Sequence, residues 1–354
     1  MTRVLLTGGS GFIAVHVLEA LLTQGHSVVT TVRSDAKAQM LRDTFPNYGT
    51  DKLDFAIVAD MAEEGAFDEA VKSDPPFEWV IHTASPFHFN ITDTKKDLLD
   101  PAIIGTTGIL NAIKKNAPSV KRVIITSSFA AIFSPKIGNR PGYTYSEKDW
   151  NPTTEEDAIQ DPPSGYRASK TFAEKAAWDF IETEKPSFTI STMNPPMVFG
   201  PIHPKLQTLD TLNTSNQRIR DMMVGKSQDE IPAAGVYVWV DVRDLAVAHV
   251  RAAERPSAAG KRFFVTAGYY SNREIADILR EQLPDVASKI ATKGGEFPEG
   301  EHAVQYNQEA AGLMFLVGYF EYDNSRTEDI LGIQYRSLQD MVKDTIPTLQ
   351  AVGA

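Results

Sequence analysis

The sequence predicts an α/β protein: a doubly wound parallel sheet with helices on both faces, followed by a smaller, discontinuous C-terminal lobe. Three observations predict it. Short apolar, β-branched runs alternate with stretches of helical period as far as residue 195. The connections between them are short, as they are when helices cover a parallel sheet. A glycine-rich turn, TGGSGFIA at 7–14, joins the first apolar run to the first helix.

The elements follow in order. Residues 4–6, VLL, form a short buried strand, and FIAVHVLEALLTQG is an apolar-periodic helix ending at Gly25. HSVVTTVR at 26–33 is β-branched and reads as the second strand. RSDAKAQMLRDTF is the second helix, LDFAIVAD at 53–60 the third strand and FDEAVK at 67–72 a short helix. EWVIHTAS at 78–85 is the fourth strand, DPAIIGTTGILNAIKKN at 100–116 a helix, and KRVIITSS at 121–128 the fifth strand. Beyond residue 195 the regularity weakens. GPIHPKLQTLDTLNTSNQ is an irregular crossing, 236–254 returns to strand then helix, and KRFFVTA is a further strand. NREIADILREQL and SLQDMVKDTIPTLQ close the chain as helices. The domains expected are a nucleotide-binding unit of 1–194 plus about 236–266, and a second lobe of 195–235 and 267–354.

Composition narrows the function classes. The 354 residues are 42% hydrophobic and 23% charged, with a net charge of −11. That acidic balance argues against a broad nucleic-acid surface. There is no cysteine, which excludes disulfides and thiolate catalysis and suits a reducing, cytoplasmic setting. MTRVLLTGGSG enters the glycine turn after a short apolar run, so no signal peptide is expected. The most apolar late stretch, AAGLMFLVGYF at 310–320, is shorter than the roughly 20 residues a bilayer requires, and reads as a buried strand or pocket wall. No membrane partner is expected, and monomer and homodimer both stay open.

In the turn, Gly8 and Gly11 allow the backbone to approach a pyrophosphate, and Phe12 and Ile13 open the helix whose N-terminus faces it. An NAD-binding chain commonly places a carboxylate about 20 residues further on for the ribose hydroxyls. Here that region reads Thr31, Val32, Arg33, Ser34, with Lys37 one helical turn later. Two cations suit a 2′-phosphate, so NADPH is the cofactor expected. Asp60 and Met61, after the third strand, are placed to meet the adenine.

YRASK at 166–170 puts Tyr166 and Lys170 four apart at the start of a helical stretch, on one face. A phenol titrates near 10 and is a poor acid at neutral pH; a neighbouring ammonium stabilises the phenolate and lowers that value. The chance match of Tyr48 and Lys52 sits in a loop with no serine partner. Tyr166 has one in TSS at 126–128, which ends the fifth strand; Ser127 and Ser128 both qualify on sequence.

TGGSGFIA, HTASPF, TSSFAA, YRASK and NPPMVFGP together resemble the extended short-chain dehydrogenase/reductases, in the dihydroflavonol-reductase-like branch. They are most similar to NADPH-dependent methylglyoxal (isovaleraldehyde) reductases and related ketoreductases. The resemblance implies a Rossmann-type fold and the reduction of an aldehyde or ketone. It implies Tyr166 as general acid/base, Lys170 as its modulator and Ser128 as the catalytic serine. It also implies that Thr83, Ala84 and Ser85 line the cofactor and that Pro195 and Val198 flank the nicotinamide.

Phe87, Phe129 and Phe133 follow ligand-side strand ends and are expected in an apolar substrate pocket. The seven histidines, at 16, 26, 82, 88, 203, 249 and 302, show no metal spacing, so no metal is expected. Two alternatives share the fold: an epimerase or dehydratase that retains its dinucleotide, and a non-catalytic dinucleotide sensor. Arg33 in place of the ribose-binding acid disfavours the first, and the intact YRASK the second.

Overall fold

The first strand of the chain, β1 (Arg3–Thr7), alternates its side chains between two helical layers. Val4 and Leu6 pack with one apolar cluster and Leu5 with another. The computed structural model that shows this describes residues 1–85, 93–297 and 319–354. From β1 the chain runs through α1 (Phe12–Thr23), β2 (Ser27–Val32), α2 (Asp35–Thr44), β3 (Leu53–Ile57), β4 (Trp79–His82), α3 (Asp100–Asn116) and β5 (Arg122–Thr126). It continues through β6 (Thr144–Ser146), the single turn α4 (Glu155–Ala158), the long α5 (Pro162–Glu184), β7 (Thr189–Asn194), β8 (Met197–Phe199) and α6 (Thr214–Met223). Then come β9 (Val238–Asp241), α7 (Val242–Glu254), β10 (Lys261–Phe264), β11 (Gly268–Tyr269), α8 (Asn272–Gln282), β12 (Glu321–Asp323), α9 (Ser325–Leu331) and α10 (Leu338–Gln350).

Seven of these strands form one parallel sheet in the order β10-β7-β5-β4-β1-β2-β3. The order reverses beside β1, and β1 and β4 end level, Thr7 opposite His82. A crevice opens at such a switch point, at the carboxyl ends of the strands. One face of the sheet carries α1 and α7, with Val15, Leu18, Leu245 and Val250 buried. The other carries α3 and α5, with Ile109, Ile113, Ala177 and Phe180 buried. A third cluster, rich in aromatic rings, fills the lobe beyond the β10 edge.

The structure corrects several boundaries. FDEAVK forms turns, not a helix; its one helical bond is Val71 N–H to Phe67 O at 3.1 Å. The six residues of FDEAVK are too few to repay helix nucleation. The fourth and fifth strands stop at His82 and Thr126, and their expected last residues become the loops that face the crevice. The strand expected after residue 236, β9, pairs with β8 and β11 in a separate three-stranded sheet, and only its helix α7 covers the large one. β6 and β12 make a small parallel pair that no local pattern announced.

Candidate active site

The turn between β1 and α1 is held from the next strand. Gly8 N–H donates to Thr31 Oγ1 at 3.0 Å and Gly9 N–H to Thr31 O at 3.1 Å. Gly8 has φ +74°, and a Cβ there would lie 3.1 Å from Ala84 Cα. A Cβ on Gly9 would lie 2.1 Å from Thr30 Oγ1. Side chains are therefore excluded where a ligand backbone must pass. Gly11 caps α1 without a side chain, so the helix N-terminus faces the crevice with no side-chain cap from its N-cap residue. Phe12 and Ile13 are half-buried on the first turn. Across the crevice Thr83, Ala84 and Ser85 are half-buried, tied back by Thr83 Oγ1 to Thr7 O and by Ala84 N–H to Thr7 Oγ1 at 3.1 Å. This cradle fits a dinucleotide pyrophosphate.

Arg33, just past β2, is exposed, and Lys37 is half-exposed in the first turn of α2. Among the described residues neither has an ion-pair partner. Ser34 caps α2, accepting from Lys37 N–H at 3.4 Å. Asp60 is exposed and accepts from Ala62 N–H at 2.8 Å, while the Met61 methyl lies against Gly105 of α3.

Asp161 caps α5, accepting from Ser164 N–H at 2.7 Å, and Pro162 takes the first helical position. Tyr166 and Lys170 then sit one turn apart, both half-buried at the crevice. The Ser128 side chain lies beside the Tyr166 hydroxyl, close enough to favour its ionised form. Lys170 Nζ donates to Ser85 Oγ at 2.9 Å and lies 5.9 Å from the Tyr166 ring centroid. The two serines left open by the sequence separate. Ser128 stands at the crevice, capping the 3₁₀ turn Phe129–Ala131 through Ala130 N–H at 3.1 Å. Ser127 is buried and donates to Glu174.

Burial pushes the Lys170 ammonium down to about 8. It also raises the Tyr166 phenol, opposed by the Ser128 side chain. This reverses the expected direction for the phenol. Loss of water outweighs the Ser128 contact, and the nearby ammonium is itself engaged by Ser85. His82, on β4, is driven down to about 3, first by burial and then by the charge of Lys170. It is neutral, with Nδ1 at 2.9 Å from Thr7 Oγ1.

Behind the serines lies a network that the sequence reading missed. Glu174, on α5, is buried and accepts from Arg262 Nε at 2.6 Å, Asn194 Nδ2 at 2.6 Å and Thr192 Oγ1 at 2.9 Å, besides Ser127. Asn194 Nδ2 also donates to Ser128 O at 3.2 Å. The Arg262 guanidinium donates to Glu147 O and Asp149 O and lies 3.7 Å from the Trp150 ring centroid. The network around this ion pair thus joins α5, β7, β10 and the loop after β5 beneath Ser128. A signal existed: Glu174 follows Tyr166 and Lys170 at the same four-residue step, so a carboxylate falls on the inward face of the helix.

Pro195 is buried, and its carbonyl accepts from Phe129 N–H at 2.8 Å, tying the end of β7 to the serine turn. Val198 is buried on β8. Phe129 and Phe133 differ from expectation. They are 2% and 3% exposed, Phe129 stacks on Phe264 at 4.6 Å, and both rings meet Tyr145 and Phe320. They form an aromatic core rather than an open pocket lining, because the lobe closes over the β10 edge there. Phe87 and residues 310–318 of the late apolar stretch lie outside the described residues; Tyr319 and Phe320 join the aromatic core. Among the described residues no helix is long and apolar enough to cross a membrane.

Comparison with known proteins places this geometry. The model of the NAD dependent epimerase/dehydratase family matches residues 4–266. The ketoreductase azaE of Aspergillus niger is 44% identical over 350 residues, 98% of this chain and 97% of that protein. The NADPH-dependent methylglyoxal reductase GRE2 of Saccharomyces cerevisiae is 36% identical, covering 97% of this chain and 96% of its own. Among solved structures, Gre2 of Candida albicans in complex with NADPH superposes with a TM-score of 0.89 at 35% identity over 100% of both chains.

Proposed function

We propose, from the premise that the chain belongs to the NAD dependent epimerase/dehydratase family and to the extended short-chain reductases within it, that it reduces aldehydes and ketones to alcohols with NADPH. One observation carries the reading. The Tyr166 hydroxyl meets Ser128, with Lys170 one helical turn away, at the carboxyl ends of the strands and beside a glycine turn with no side-chain cap.

Bound NADPH supplies the hydride. The glycine turn and the α1 N-terminus hold its pyrophosphate, and Arg33 and Lys37 hold the 2′-phosphate. Asp60 and Met61 meet the adenine; Thr83, Ala84 and Ser85 line the opposite wall; Pro195 and Val198 flank the nicotinamide. Ser128 donates a hydrogen bond to the substrate carbonyl oxygen, which gains charge as the carbon is reduced. Tyr166 gives that oxygen a proton. Lys170 stabilises the phenolate left behind, and this lowers the barrier to the same transfer. The lobe of 195–235 and 267–354 covers the substrate. Small aldehydes and ketones fit this reading, and the absence of cysteine suits work in the cytoplasm.

The test is oxidation of NADPH and NADH measured over simple aldehydes, diketones and aryl ketones. Steady consumption of NADPH, faster than NADH, is expected. A protein that retained its dinucleotide and only interconverted sugars would favour the epimerase reading. The likeness to UDP-glucose 4-epimerase of Thermotoga maritima, at 19% identity and a TM-score of 0.69, extends to the fold alone.

A further inference from the structure

We propose that His16, Glu19 and His203 form a binding site for a divalent transition metal of the zinc type, outside the catalytic cleft. Each side chain offers one ligand atom, and the three atoms lie within 4.8 Å of one another. Ligands around a tetrahedral zinc ion, at about 2.0–2.2 Å from it, stand about 3.3 Å apart. Glu19 Oε2 and His203 Nε2 are already 3.7 Å apart. Small side-chain rotations close the remainder, and Glu19, whose side chain is 53% exposed, is free to make them.

The two histidines are held differently. His16 is buried on α1, and its Nε2–H donates to Pro201 O at 2.9 Å. That bond fixes the proton on Nε2 and leaves Nδ1 as the lone-pair nitrogen. A ligating histidine is commonly oriented in this way, by a backbone carbonyl on its other nitrogen. His203 lies on the crossing after β8, its ring 4.9 Å from that of His16 and 5.9 Å from Phe45. Two imidazoles and one carboxylate are the donor set of several three-ligand zinc centres, in which water takes the fourth position. Nitrogen-rich sites of this kind take zinc, cobalt or nickel in preference to magnesium or calcium. The chain has no cysteine, so no thiolate competes.

The ligands come from two elements. His16 and Glu19 belong to the helix that follows the glycine turn, and His203 to the crossing that Lys205 also ties down, through Asp43 O at 2.8 Å. A bound ion staples the crossing to α1. Binding to the folded state alone raises thermal stability.

The experiment uses the full chain, free of any affinity tag and stripped with EDTA. Zn²⁺ is titrated by calorimetry and Co²⁺ by visible absorption, and the melting temperature is measured with each. The expected result is one equivalent of either ion, a higher melting temperature, and no such effect of Mg²⁺. His203→Ala and Glu19→Gln are each expected to weaken Zn²⁺ binding at least about tenfold, with metal-free melting unchanged. His26→Ala serves as the control, since among the described residues His26 faces one carboxylate only, Glu254 at 3.8 Å, and it should bind as the parent does. Absence of saturable binding, equal stabilisation by Mg²⁺, undiminished affinity in both ligand variants, or loss of binding in the His26 variant would each overturn the proposal.

Discussion

The two flanks of the crevice follow opposite plans. On the nucleotide flank, built from β1, α1 and β2, Gly11 leaves α1 without a side-chain cap, and Arg33 and Lys37 face water without ion-pair partners among the described residues. On the chemical flank, built from α5, β5, β7 and β10, Glu174 has four strong donors already in place and Arg262 has its carboxylate and two carbonyls. The difference follows from burial. An exposed cation is satisfied by solvent until a phosphate arrives. A buried carboxylate costs several kcal/mol unless its partners are built into the fold. On the proposed function the first flank is completed by its ligand, whereas the hydrogen bonds of the second are in place beforehand, as a preorganised site requires.

Four substitutions and one titration sharpen this contrast. Tyr166→Phe removes the proton donor and is expected to lower kcat by about 10²–10⁴, while NADPH affinity, read by fluorescence titration, stays as it was. A retained rate would sink the assigned chemistry. Glu174→Ala strands the Arg262 guanidinium in the core, and a loss of about 3–5 kcal/mol is expected from the denaturation midpoint. Glu174→Gln should cost less stability yet still lower kcat at unchanged NADPH affinity, because Ser127, Asn194 and Arg262 lose a charged acceptor. If the alanine variant unfolded where the parent does, the chemical flank would not be held by this pair.

Arg33→Ala should show the reverse pattern. Melting is unchanged, NADPH binding weakens about tenfold or more through the lost charge-assisted contact, and NADH binding is unaffected. Equal losses for both dinucleotides would remove the 2′-phosphate from the argument. The smallest effect is in pH. Burial lowers the Lys170 value to about 8, so the cation is held below that pH and lost as pH rises through it. kcat/KM should therefore be flat on the acid side and halve near pH 8, a limb seen in a rate profile. A profile still flat at pH 10 would take the ammonium out of catalysis.

Sequence alone resolved what is local. The glycine turn, the Tyr166–Lys170 step and the first five strands of the large sheet each depend on residues close in the chain, whose period or spacing states their geometry, whereas β7 was not read as a strand. Strand ends were overextended: Thr83, Ala84 and Ser85 lie past the end of the fourth strand, and Ser127 and Ser128 past the end of the fifth. What stayed hidden joins distant segments: Glu174 to Arg262, Glu19 to His203, β6 to β12. Phe129 and Phe133 were misplaced for the same reason, since the rings that enclose them, Phe264 and Phe320, arrive from far along the chain.

β10 is laid against β7 at the sheet edge, and it brings Arg262 with it. A fragment cut soon after residue 200 would therefore expose a bare strand edge and leave an acid without its counter-charge in the interior. The nucleotide-binding half is no portable module. Grafting a foreign lobe onto it, to change what the enzyme accepts, therefore has to keep β10 and its arginine, which lie between the two segments of that lobe.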